Sequence, residues 1–102
     1  MVHWYQDTKL VSAMPKAARP SPVIKRVQTG VRVEARILKV LKALAEYKGL
    51  TLGDLLEGIV LHAFEGKQPF GPDTLKVVRD LKRVYGLDLD ARASHRLKER
   101  GK

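Results

Sequence analysis

Apolar positions change period along this chain, and each change marks a boundary between elements. Over residues 27–33, Val27, Thr29, Val31 and Val33 alternate with Gln28, Gly30 and Arg32. Period-two alternation of β-branched residues predicts a half-buried strand. From Ala35 the spacing shifts: Ile37, Leu38, Leu41, Leu44 and Ala45 share one side, with Arg36, Lys39, Lys42 and Glu46 opposite. That pattern predicts an amphipathic helix of about four turns, closed at Gly49 by a left-handed cap residue. Thr51-Leu52-Gly53-Asp54 has the layout of an N-cap with an acidic residue at the third helical position, where it favours the positive end of the helix dipole. The helix it opens, over 52–64, is apolar on much of its circumference through Leu55, Leu56, Ile59, Val60, Leu61, Ala63 and Phe64. One short partner helix cannot cover so wide a stripe.

After a turn at 68–73, residues 74–85 place Leu75, Val78, Leu81 and Tyr85 on one face, broadened by Val77 and Val84 and stopped by Gly86. Asp88 and Asp90 read as helix-capping residues ahead of a last helix over about 91–99, along which Arg92, Arg96 and Arg100 recur every four residues. The expected fold class is therefore mainly α with one β-strand. A lone strand cannot satisfy its own backbone groups, and some forty residues with one strand and two helices bury too little surface alone. Both deficits vanish if two chains pair their strands antiparallel and interlock their helices, so the segment predicts an obligate homodimer.

Composition narrows the class of function. With 102 residues the chain makes about one domain, and the absence of cysteine removes disulfide frameworks and thiolate metal sites. No apolar run is long enough to cross a bilayer and no signal-peptide pattern opens the chain, so a cytoplasmic protein is expected. Lys and Arg number 20 against 11 Asp and Glu, a net charge of +9, which points to a polyanionic partner. The excess is uneven. Residues 27–66 are balanced; the surplus lies in a Pro-containing arm at 1–26, read as flexible and extended, and in a C-terminal helical extension at 67–102.

The segment 26–66 resembles the ribbon-helix-helix family of DNA-binding proteins. The residues that carry the likeness are Val-Gln-Thr-Gly-Val-Arg-Val, the helix Ala-Arg-Ile-Leu-Lys-Val-Leu-Lys-Ala-Leu-Ala-Glu-Tyr-Lys, and Gly-Leu-Thr-Leu-Gly-Asp-Leu-Leu-Glu. The resemblance implies an intertwined homodimer whose two-stranded antiparallel β-ribbon enters the major groove. It places Gln28, Gly30 and Arg32 at base-reading positions, where Arg suits guanine and Gln suits adenine. Lys25, Arg26, Thr51, Leu52 and Gly53 take phosphate-binding positions. Val31, Val33, Ile37, Leu41, Leu44, Leu55, Leu56, Ile59 and Val60 take the dimer core. Two positions depart from the pattern: Gly30 brings no side chain to a base, and Glu34 stands where the family often has Ser or Pro to start the helix.

The resemblance implies a dimeric transcriptional regulator, nucleoid-associated, with double-stranded DNA as partner and assembly beyond the dimer on DNA left open. An antitoxin that folds residues 67–102 onto a protein partner is one alternative, and a dimerisation module that has lost DNA binding is another. Ser94-His95 are sequence neighbours, which is not the spatial relay a hydrolase needs. His62 reads as a residue at the dimer's polar edge, and Trp4 and Tyr5 as an aromatic pair that stacks on a base, anchors the arm on the dimer or is simply disordered. No phosphate loop or zinc spacing is present, so the chain is read as neither an enzyme nor a holder of metal or cofactor.

Overall fold

The computed structural model describes residues 21–100; Trp4, Tyr5 and the rest of the arm before residue 21 lie outside the described part. The chain divides into two units, Met1–Gly30 and Val31–Lys102. Within the first, residues 21–30 form neither helix nor strand and all are exposed. The second contains α1 (Ala35–Lys48), α2 (Leu52–Phe64), α3 (Pro72–Val84) and a 3₁₀ turn at Ala91–Ala93.

Local chemistry accounts for each helix end. Glu34 caps α1, its carboxylate accepting from the Arg36 amide at 2.9 Å and the Ile37 amide at 3.0 Å. Gly49 ends it in the left-handed region (φ 68°), a conformation that costs glycine little. There the Leu50 amide donates to the Ala45 carbonyl at 2.9 Å. Thr51 caps α2 by accepting from the Asp54 amide at 3.1 Å. Helix α3 opens with Pro72 at its first position, where the missing N–H is no loss. It begins two residues before the apolar spacing predicts.

Helices α2 and α3 both pack against α1. The core is small: Leu44 (1% exposed) and Ala45 of α1 meet Leu55 of α2, surrounded by half-buried Leu41, Ile59, Phe70, Val77, Val78 and Leu81. Three of those six belong to the segment after residue 71, so α3 is part of this core and not an appendage to it.

The expected ribbon is not formed. Among the described residues there is no strand, and the second unit is all-helical. Residues 27–33 carry no strand ladder, and Val27 and Val31 are 75% and 76% exposed. This corrects the fold class of a helical protein with one strand and a two-stranded antiparallel ribbon. The physical reason is that alternation specifies which side chains share a face, whereas a strand also needs a neighbour's N–H and C=O groups. No described segment pairs with 27–33 to supply them. The last expected helix also shrinks, from 91–99 to the turn Ala91–Ala93. Its basic spacing had no apolar stripe behind it, since Leu97 alone would have anchored that face and is half exposed, and helices draw most of their stability from a buried face.

The residues assigned to a dimer core separate accordingly. Leu44 and Leu55 are buried, and Ile37, Leu41 and Ile59 are half-buried, within one chain. Val31, Val33, Leu56 and Val60 are exposed.

Candidate nucleic-acid interface

The first turn of α1 is held by one guanidinium. Arg36 Nε donates to Glu34 Oε2 at 3.1 Å, while its Nη1 donates to the Gly86 carbonyl at 3.0 Å and to Asp88 Oδ1 at 2.9 Å. The chain leaving α3 is thereby tied to the start of α1. Partial desolvation pushes the Glu34 carboxyl upward, but the Ile37 amide and the Arg36 guanidinium outweigh it and hold the group below its ordinary value. Glu34 is thus spent on its own helix, which explains an acidic residue at this place.

Beside that turn, Arg32 forms an ion pair with Glu99. The two side chains are 71% and 55% exposed. They stand across a cleft of about 560 Å³ lined by Arg32–Ala35 and by Leu97, Lys98, Glu99 and Arg100. The segment 94–100 therefore returns to the beginning of α1, a contact no sequence spacing reveals.

The other expected site residues are distributed between the two units. Lys25, Arg26, Gln28 and Gly30 belong to the first and are exposed; a Cβ at Gly30 would meet open space. Thr51, Leu52 and Gly53 lie at the N-terminus of α2, with Thr51 and Gly53 exposed and Leu52 half-buried. First-turn amides have no partner within their own helix, so those of Leu52 and Gly53 are suited to an anion. A Cβ at Gly53 would come no closer than 3.9 Å to Thr51 Oγ1, so glycine is not demanded there by space. The resemblance ties base reading by Gln28, Gly30 and Arg32 to outward positions on a paired ribbon, which the described residues do not form.

A basic surface on α3 escaped the pattern of apolar residues. Val77, Val78 and Leu81 turn toward the core, while Lys76, Arg79 and Arg83 are exposed, at i, i+3 and i+7 on the opposite side. Arg83 pairs with Asp80 at 3.1 Å. The signal was present in the sequence as the complement of the apolar stripe. The Arg92, Arg96, Arg100 stripe, by contrast, is dissolved by the loss of its helix, and Arg92 turns to Asp90 at 2.8 Å. His62 Nδ1 donates to the Gly58 carbonyl at 2.7 Å, one turn back along α2. Among the described residues no group of three His, Asp or Glu side chains comes together to hold a metal ion. No described helix is long and apolar enough to cross a membrane.

No known family, curated protein or solved structure matches this chain. Its function is inferred from its own charge and geometry.

Proposed function

We propose that this protein binds double-stranded DNA as a homodimer and acts as a transcriptional regulator, with phosphate contacts supplying most of its affinity. The observation that carries this reading is the division of α3 into two faces. One face closes the core through Val77, Val78 and Leu81, and the other carries the exposed Lys76, Arg79 and Arg83, with Asp80 paired to Arg83 among them. A net charge of +9 fits the same partner. Lys25, Arg26 and the first-turn amides at Thr51–Gly53 add phosphate contacts in this reading; Gln28 and Arg32 are exposed, with Arg32 paired to Glu99 in the free protein.

The homodimer is supported by α2. Leu56, Val60, Leu61 and Phe64 are 37%, 43%, 63% and 81% exposed, an apolar group on one helix that invites cover. A second copy presents the same surface and satisfies both chains at once. The antitoxin alternative draws no support from α3, which packs on its own chain.

Binding to a random duplex across a salt series tests the proposal. Log affinity is expected to fall linearly with log salt, and replacing Lys76, Arg79 and Arg83 by Gln should flatten the slope by about 0.9 for each phosphate contact removed. A slope near zero for the unaltered protein would exclude phosphate-driven binding.

A further inference from the structure

We infer that the cleft at the start of α1 is a site for a DNA backbone phosphate, and that Glu99 of the chain's own C-terminal segment holds that place in the free protein. The inference rests on the DNA-binding reading and assigns it a masked contact. The cleft is lined by three cations, Arg32, Lys98 and Arg100, and by two carboxylates, Glu34 and Glu99. Glu34 is already engaged by the Arg36 and Ile37 amides and by Arg36 Nε. Glu99 is therefore the carboxylate set against Arg32. A phosphate offers the same bidentate acceptor geometry to a guanidinium as a carboxylate does. Once Glu99 is displaced, Arg32, Lys98 and Arg100 form an anion-accepting cluster.

The contact that holds Glu99 is slight. Residues 94–100 have no regular secondary structure, Leu97 is half exposed, and an open cleft separates the segment from the first turn of α1. Both partners of the ion pair are more than half exposed, so solvent screens it and a multivalent anion can replace it. Arg36 and its bonds to Gly86 and Asp88 anchor the chain further back, so the Glu99 side chain can turn out of the cleft while Lys98 and Arg100 keep their places on its rim. Glu99 thus sets a threshold for DNA binding: it occupies Arg32 until a phosphate competes for it.

The test measures affinity of the full chain for a random duplex at one moderate salt concentration, for the unaltered protein, Glu99→Gln, Arg32→Gln and the double variant. Glu65→Gln is the control for the gain of one positive charge, because Glu65 is likewise an exposed glutamate in an ion pair, with Lys67 at 3.1 Å. Glu99→Gln is expected to tighten binding by about two- to fivefold more than Glu65→Gln, the range of an exposed ion pair. That surplus should disappear when Arg32 is Gln. Equal tightening by the two Glu variants, or a surplus that survives the loss of Arg32, overturns the inference while DNA binding itself stands. If neither the unaltered protein nor any variant binds the duplex, the DNA-binding reading falls and this one with it. Binding by Glu99→Gln alone would be the strongest support.

Discussion

Arg36 Nη1 lies 2.9 Å from Asp88 Oδ1, joining the first turn of α1 to the chain that leaves α3. The same guanidinium reaches the Gly86 carbonyl and the Glu34 carboxylate, so one residue joins the start of α1 to a segment about fifty positions later in the sequence. Asp88 is mostly exposed, and Asp88→Asn should change stability by no more than about 0.5 kcal/mol. Arg36→Ala removes all three links and should lower the urea midpoint clearly more than Asp88→Asn does. Equal midpoints for the two variants would mean that the Gly86 and Glu34 contacts add nothing.

Dimerisation is checked on the apolar face of α2. Replacing Leu56 and Val60 by Asp puts two charges on that face without touching the buried Leu55. Sedimentation at micromolar concentration should show a dimer for the unaltered protein and a folded monomer for the variant. A monodisperse folded monomer without any substitution would reject the homodimer.

Thr51 stabilises α2 whether or not a phosphate binds beside it. Its hydroxyl accepts from the Asp54 amide at 3.1 Å, and Thr51→Ala should cost about 1 kcal/mol in chemical denaturation, as loss of a helix N-cap does. Thr51→Ser keeps the acceptor and should restore most of that loss. A Ser variant as weak as the Ala variant would locate the effect in the methyl group.

The cap on α1 brings a pH dependence. Glu34 has a folded pKa below its ordinary value of 4.5, so the folded state binds fewer protons than the unfolded state near that pH. Its contribution is complete above about pH 5 and is lost as pH falls through the depressed value. Asp90 behaves in the same sense, held below its ordinary value by Arg92. Thermal melts should therefore show stability falling on the acid side, with Glu34→Gln less stable at neutral pH and flatter below about pH 5. A parallel acid slope in that variant would show that Glu34 is not the responsible group.

Three helices were legible in the sequence because local chemistry and burial agree. Ile37, Leu41 and Leu44 repeat at helical spacing, Gly49 supplies the left-handed stop, and Thr51 with Asp54 supplies the next start; α1 and α2 follow within a residue of the expected bounds. The strand at 27–33 failed for the complementary reason. Its alternation of Val27, Val31 and Val33 is a property of single residues, whereas a strand is a property of two backbones. The stripe of Arg92, Arg96 and Arg100 failed because spacing without an apolar face does not hold a helix together.

The candidate site divides along the same line. Sequence alone determined the net charge of +9, the capped α2 N-terminus at Thr51–Gly53 and the basic side chains themselves, since these depend on composition and on contacts within a few residues. Only tertiary structure decided that α3 shares the core of α1 and α2, that Arg36 reaches Gly86 and Asp88 from the first turn of α1, and that Glu99 meets Arg32 across 67 positions of sequence. Those relations depend on how the helices pack, and side chains far apart in the chain meet only where a common core brings their backbones together.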